Sequence, residues 1–135
     1  MKYKNGQALV EFALVLPLFL LIIIGGIIDF GLSINNKITL QNLAGDIAKW
    51  GALNHKTNEE INNYFISQNK SNLHCQLSKI ERIKLNNGGN AIKIVISYEN
   101  PMLTPFYQIL LEKIVDKQSI TIKAIAVYKE PEYIK

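Results

Sequence analysis

The sequence is poor in the residues that build covalent, metal and catalytic sites. Its 135 residues include one cysteine, Cys75, and two histidines. No intrachain disulfide can form, and the adjacent pair His74 and Cys75 lacks the partner ligands that a zinc site needs. The sequence has no nucleophile elbow, no phosphate-binding glycine loop and no paired carboxylates in an apolar context. We therefore expect no catalytic residue, no metal site and no cofactor, and a protein that is not an enzyme.

A strong excess of one charge is also missing. The 15 Lys and Arg residues and 11 Asp and Glu residues leave a formal net charge of +4, and the basic residues are scattered along the chain. Nucleic-acid binding surfaces need clustered Lys and Arg, so we expect no nucleic acid as a direct partner. The hydrophobic fraction of 48% excludes a disordered chain. The length allows one modest domain.

A long apolar run lies near the N-terminus. Residues 12–28 contain no charged or strongly polar side chain. As a helix the run spans roughly 26 Å, and with residues 7–10 it approaches the thickness of a bilayer core. Lys2 and Lys4 precede the run, whereas the first basic residue after it is Lys37. This asymmetry predicts a single-pass protein of the cytoplasmic (inner) membrane, with a cytoplasmic N-terminus and an extracytoplasmic C-terminal domain.

Three kinds of segment share this composition: a cleavable secretory signal, a plain signal anchor and a prepilin leader followed by its helix. The run is too long for a cleavable signal, and no small-x-small site follows it. A carboxylate at the start of an apolar helix is costly and is usually functional, so Glu11 argues against a plain anchor. Glu11 is the fifth residue after Gly6, and the apolar run follows at once. A glycine, this offset to glutamate and an apolar helix form the type IV prepilin pattern, with Gln7 as the first mature residue.

A longer block of the sequence resembles a known family. Residues 6–17 read GQALVEFALVLP and are similar to the start of the TadE-like family, the pseudopilins or minor pilins of the Tad (tight adherence, or Flp) pilus and secretion system. The similarity continues through GIIDFG at residues 26–31 and is fainter over residues 40–52 and 98–106. The resemblance implies a minor pseudopilin that a prepilin peptidase cleaves after Gly6 and that is built into a pilus or primes one.

The resemblance also implies site residues and partners. Two residues flank the cleaved bond, Gly6 and Gln7, and four are assigned to assembly: Glu11, Phe12, Pro17 and Asp29. After cleavage, the Gln7 amine lies about one helical turn from Glu11, and we expect the two to pair. Asp29 is expected to mark the outer membrane boundary. The implied partners are the prepilin peptidase, other pilins and pseudopilins of the same system, the inner-membrane assembly platform and membrane lipid, and the implied destination includes the pilus at the cell surface.

The whole chain predicts a pilin-like α+β fold in three parts. Residues 1–6 form the leader, and residues 7–53 form one long helix that is transmembrane over about 7–29. Residues 54–135 form a small extracytoplasmic domain, with about three mainly antiparallel strands and two short helices packed on the long helix. Apolar residues at helical spacing predict the packed stripe of the long helix; these are Leu40, Leu43, Ala44, Ile47 and Gly51.

Local signals place the smaller elements. Thr57 and Glu60 form a capping box at the start of the first short helix. The sequence NNGGN at residues 86–90 predicts a hairpin turn between strands at 78–85 and 91–98, and a third strand is predicted over residues 119–129. Thr104 and Pro105 start the second short helix. Its apolar stripe is expected to face the core; the members are Phe106, Ile109, Leu110 and Ile114.

Two other functions remain open at this point. One is an extracytoplasmic binding module that keeps its signal anchor and is never cleaved. The other is a pseudopilin of a different type IV-like machine, such as a type II secretion or competence system. Cleavage after Gly6 distinguishes the leading hypothesis from the first of these, and a gene neighbourhood with a secretion ATPase and a prepilin peptidase distinguishes it from the second.

Overall fold

A computed structural model describes residues 3–69, 74–86 and 88–131 of the chain, with side chains from residue 6 onward. Three helices and three strands follow one another in the order α1 (Tyr3–Leu53), α2 (Asn58–Gln68), β1 (Gln76–Lys84), β2 (Asn90–Pro101), α3 (Pro105–Val115) and β3 (Ser119–Lys129). The predicted α+β class, with one long helix, two short helices and three strands, is confirmed.

The chain divides into two compact units that are not continuous in sequence. The first unit contains Met1–Leu32 and Pro101–Ser119, and the second contains Ser33–Asn100 and Ile120–Lys135. The first unit therefore joins the apolar part of α1 to α3. The second joins the remainder of α1 to α2 and the sheet.

Helix α1 begins earlier than the sequence predicted and ends where it predicted. The helix starts at Tyr3 instead of residue 7, because nothing between Tyr3 and Gly6 breaks it, and it continues through Pro17 to Leu53. It is long and apolar enough to cross a membrane. The predicted leader falls partly outside the described residues, since Met1 and Lys2 are not among them.

The second unit has a core built by one stripe of α1 and one face of the sheet. Leu40, Ala44 and Ile47 are buried on α1, as the helical spacing predicted. Ile92, Ile94 and Ile96 alternate along β2 and are fully buried, which is the period-two pattern of a strand with one face on a core. The remaining core members are Ala48, Ala52, Ile61, Phe65, Cys75, Ile122 and Ala124.

The sheet has the strand order β1-β2-β3, and β1 pairs with β2 in antiparallel register. The hairpin between them closes with Lys84 opposite Asn90. Gly88 has a φ of 83° and donates its N–H to the Leu85 carbonyl oxygen at 2.9 Å. A glycine supplies this positive φ without a steric cost, so the turn predicted at residues 86–90 is confirmed, although Asn87 lies outside the described residues.

Helix α2 is capped as predicted and carries an aromatic contact. The Glu60 N–H donates to the Thr57 hydroxyl and the Thr57 N–H donates back to the Glu60 carboxylate, the two halves of a capping box. The Tyr64 ring stacks on Trp50 of α1, with 4.1 Å between the ring centroids. The stack and the burial of Ile61 and Phe65 fix α2 against α1.

Polar side chains link the second half of α1 to β2 and β3. Asn100 is buried at the end of β2, donates to the Ser33 hydroxyl at 2.8 Å and accepts from the Asn36 side-chain amide at 2.6 Å. Gln41 donates to the backbone carbonyl oxygen of Ile125 on β3 at 2.7 Å. Together with the apolar core, these contacts hold β2 and β3 against the helix.

Candidate functional site

The N-terminal turns of α1 hold the residues predicted to flank a cleavage site. Gly6 is exposed, and a Cβ added to it would meet nothing within 4 Å. Packing therefore gives no reason for a glycine at this position. A glycine inside a helix destabilises it by about 1 kcal/mol relative to alanine, so Gly6 makes this turn of α1 easier to unwind.

Gln7 and Glu11 contact each other on the surface of α1. The Gln7 side-chain amide donates to the Glu11 carboxylate at 3.1 Å, across four residues and in an exposed position. Residues four apart in a helix lie on one face, which brings the Gln7 side chain to the Glu11 carboxylate. The structure thus places two of the predicted site residues together.

Phe12 and Pro17 lie on the apolar surface of α1. The Phe12 side chain is 62% exposed and Pro17 is exposed within the continuous helix. Most side chains around them are also apolar and exposed, which suits a lipid-facing or partner-facing segment. Their predicted part in assembly stays a prediction.

Asp29 is separated from the other predicted site residues. Glu11 and Asp29 are 18 positions apart on the helix, roughly 27 Å along its axis. The Asp29 side chain is only 3% exposed. Its carboxylate accepts from the Leu103 N–H at 2.8 Å, from the Thr104 N–H at 3.2 Å and from the Thr104 hydroxyl.

These contacts make Asp29 a capping group for α3. Thr104 is the N-cap residue of α3 but makes no capping bond with its own side chain. The first N–H groups of a helix lack partners within it, and a carboxylate there also complements the positive end of the helix dipole. Asp29 accepts from the N–H of the N-cap residue Thr104 and of Leu103 before it, and so places a carboxylate at the start of α3 from a distant part of the chain, a role that the sequence did not indicate.

Two glycines let α3 approach α1 closely. A Cβ on Gly25 would lie 3.0 Å from the Thr104 Cγ2 atom, and one on Gly26 would lie 2.5 Å from the Tyr107 hydroxyl oxygen. That hydroxyl donates to the Ile22 carbonyl oxygen at 3.1 Å, and the Tyr107 ring meets Phe30 edge-on. Gly25 and, from the motif at residues 26–31, Gly26 and Phe30 therefore serve a packing function within the first unit.

The prediction that the apolar stripe of α3 faces a core is wrong. Ile109 is 56% exposed and Ile114 is 71% exposed, and Phe106 and Leu110 are exposed as well. Helix α3 has no buried residue. Its contact with α1 is made by Thr104 and Tyr107 instead, because their side chains fit the surface that the glycines leave open.

Cys75 is a structural residue. Its thiol donates to the Asn69 side-chain oxygen at 3.1 Å, and the Asn69 amide donates to the Cys75 carbonyl oxygen at 3.0 Å. Burial raises the pKa of the Cys75 thiol, which disfavours the reactive thiolate. Over residues 3–69, 74–86 and 88–131, no group of three or more His, Cys, Asp or Glu is placed to hold a metal ion.

A helix able to cross a membrane and a three-stranded α+β unit are consistent with a single-pass membrane protein. Residues 6–49 match the family model described as TadE-like protein. This match agrees with the family that the resemblance predicted, and it contains Gly6, Gln7, Glu11, Phe12, Pro17 and Asp29. No curated protein and no solved structure matches the chain.

Proposed function

We propose that the chain is a minor pseudopilin of a Tad-type type IV pilus or secretion system. A prepilin peptidase cleaves it after Gly6, and the mature protein is then incorporated into the pilus or primes its assembly. The observation that carries the proposal is the Gly6-to-Glu11 segment at the start of an apolar helix, inside the TadE-like match. The match favours the Tad system over a type II secretion or competence machine.

The surroundings of the segment support processing at this bond. Gly6 and Gln7 are exposed, so a membrane peptidase can reach them. A peptidase binds its substrate as an extended strand, and a helix-destabilising glycine with no packing role lowers the cost of unwinding the first turns of α1.

The Gln7–Glu11 contact supports the assembly step. The amine that cleavage creates on Gln7 has an ordinary pKa near 7.7 to 8.0 and is mostly protonated at neutral pH. It replaces a peptide bond one helical turn from the Glu11 carboxylate, where the Gln7 side chain already makes a hydrogen bond. In an apolar setting this ion pair, within one chain or between neighbours, relieves the cost of an unpaired carboxylate and sets the axial register of subunits.

The proposal also includes the partners and the location. The partners are the prepilin peptidase, other pilins of the system, the inner-membrane assembly platform and membrane lipid. The N-terminus is cytoplasmic and the C-terminal domain is extracytoplasmic, by the distribution of basic residues on either side of the apolar run.

Intact mass of the protein recovered from membranes tests the cleavage. In cells with an active prepilin peptidase, the wild-type chain should begin at Gln7, and Gly6→Leu should leave the full-length form. Gly31→Leu is the matched control, because Gly31 is also a glycine of α1 with open space around it, and that variant should be cleaved. Wild-type protein that retains residues 1–6 would refute the proposal in favour of an uncleaved signal-anchored module.

A further inference from the structure

Helix α3 contacts α1 along the last part of the apolar run, residues 12–28. Its contacts with Ile22, Gly25, Gly26 and Asp29 fall in the last two turns of residues 12–28 and at the residue that follows them. An apolar groove between the two helices extends from Thr104 to Leu18, with Phe106 on its wall. Leu18 lies ten residues before the end of the run, roughly 15 Å along the helix axis.

The composition of α3 changes along its length. Residues 103–111, which lead into and form its first two turns, carry no charged side chain. The charges come at the other end, where Glu112, Lys113, Asp116 and Lys117 follow one another within six residues. A helix with one uncharged end and one charged end suits a boundary between hydrocarbon and water.

Several polar groups at the uncharged end have hydrogen-bond partners inside the protein. Asp29 accepts from the N–H groups of Leu103 and Thr104, and Pro105 has no N–H. The Gln108 side-chain amide donates to the Met102 carbonyl oxygen at 2.6 Å. In a bilayer core, backbone and side-chain donors find no water to bond. This end of α3 can therefore enter the membrane only if its donors have partners inside the protein.

We propose that α3 is an interfacial membrane helix, whose apolar face dips into the leaflet from which the C-terminal end of the α1 span emerges. Its occupant is the lipid acyl chains, because the exposed face of α3 is continuous with the exposed apolar surface of α1 on either side of the groove. The inference rests on the proposed membrane span of α1. It extends the membrane contact from one helix to two.

Site-directed spin labelling of the full chain tests the proposal. Cys75→Ser provides a background without other cysteines, and its hydroxyl replaces the thiol as the donor to the Asn69 side-chain oxygen. Single cysteines then replace Leu21 on α1, Ile109 on α3 and Lys117 just beyond α3, all of them exposed. Each labelled protein is placed at low density in phosphatidylcholine vesicles, and collisions with oxygen and with a water-soluble nickel chelate are measured.

The three labels give distinct outcomes. We expect oxygen collisions to exceed nickel collisions at Leu21 and Ile109, and the order to reverse at Lys117. A Leu21 label in lipid with an Ile109 label as accessible to nickel as Lys117 would overturn the interfacial role of α3 alone. A Leu21 label in water would overturn the membrane span itself. An Ile109 label shielded from both reagents would show that protein covers the face, and it would also overturn the lipid proposal.

Discussion

The phenolic hydroxyl of Tyr107 donates a hydrogen bond to the backbone carbonyl oxygen of Ile22, 3.1 Å away and 85 residues earlier in the chain. The contact exists because Gly26 has no side chain between them. It ties the short helix α3 to the apolar part of α1. Because this contact depends on the absence of a Cβ at Gly26, a substitution at that position tests it directly.

Gly26→Ala should loosen α3 from α1. The new Cβ would lie 2.5 Å from the Tyr107 hydroxyl oxygen, so the ring must move and its hydrogen bond to Ile22 is lost. Overpacking of this kind costs roughly 1–3 kcal/mol. Hydrogen exchange of the α3 amides in detergent should speed up by the factor that corresponds to this loss of free energy.

Tyr107→Phe in the Gly26→Ala background should restore part of the protection, because removal of the hydroxyl removes the closest contact. Gly31→Ala is the control, since a Cβ there meets no neighbour and alanine favours the helix. Equal exchange in Gly26→Ala and Gly31→Ala would show that the close approach of Tyr107 has no energetic role.

Asp29→Ala should release the N-terminus of α3. The substitution removes a buried carboxylate that accepts from two backbone N–H groups and the Thr104 hydroxyl. Hydrogen bonds to a charged group contribute roughly 1.5–3 kcal/mol, which is a tenfold to hundredfold change in local opening. The exchange rates of the Leu103 and Thr104 amides should rise by that factor.

Asp29→Asn keeps one acceptor oxygen and should lie between Ala and the wild type. Asp46→Asn is a matched change at an exposed carboxylate of the same helix and should leave α3 unaffected. If Asp29→Ala protects α3 as well as the wild type does, the capping role is refuted, and a direct role in contacts with other subunits becomes the remaining explanation of this residue.

Glu11→Val should be inserted and cleaved normally but fail in assembly. An apolar residue is no obstacle to either earlier step, whereas truncation of one partner of a buried charge pair at an interface costs about 2–5 kcal/mol, more than tenfold in affinity. Co-purification with partner pilins and incorporation into pili should fall accordingly. Glu11→Asp should give an intermediate level, because its shorter side chain loses reach to the Gln7 amine.

Asp46→Val provides the control for Glu11→Val, because it removes an exposed carboxylate elsewhere on α1. It should assemble like the wild type. Assembly of Glu11→Val at the wild-type level would remove the role that we assign to the carboxylate, and the cleavage prediction would be unaffected.

The stability of the second unit should depend on Glu60 in acid. The Lys56 ammonium and, after it, the Thr57 N–H hold the pKa of Glu60 at about 2, below its ordinary value of 4.5. A carboxyl with a lowered folded-state pKa stabilises the fold fully above the ordinary value. That stabilisation is lost as the pH falls from about 4.5 through about 2.

The fluorescence of Trp50 reports this unit, because Trp50 is the one tryptophan of the sequence and stacks on Tyr64 of α2. In denaturant titrations of the full chain in detergent, Glu60→Gln should weaken the pH dependence of the unfolding midpoint over this window. Glu59→Gln, at the next residue of the same helical turn, should retain it. An unchanged pH profile in Glu60→Gln would show that the capping box does not contribute through its charge.

Much of the second unit could be predicted from the sequence, because its signals are local or periodic. The alternation of Ile92, Ile94 and Ile96 indicated β2 and its buried face, and the bounds of β3 are those predicted. The capping box of α2 needs two residues three positions apart. In each case the physical cause lies within a few residues of its effect.

The arrangement of the first unit could not be predicted in this way. Asp29 and Leu103, whose N–H donates to the Asp29 carboxylate, are 74 positions apart in the sequence, and no spacing rule connects them. The apolar stripe of α3 was wrongly assigned to a core, because helical periodicity shows that a face is apolar but does not distinguish protein from lipid as its surroundings. The sequence also does not predict that α3 packs against Gly25 and Gly26, where the absence of side chains leaves room for it.

The contact between Gln41 and β3 also bears on whether the sheet can pair with a strand from another molecule. In the part of the chain that the structure describes, β3 ends the strand order, and an edge strand offers backbone groups on which a foreign strand can build. Two outward side chains of β3, Ile125 and Val127, are apolar and exposed, which adds to that hazard. The Gln41 amide occupies the Ile125 carbonyl oxygen in the middle of the strand. A side chain of α1 therefore already occupies one backbone acceptor of this edge strand, which leaves that group less available to a foreign strand.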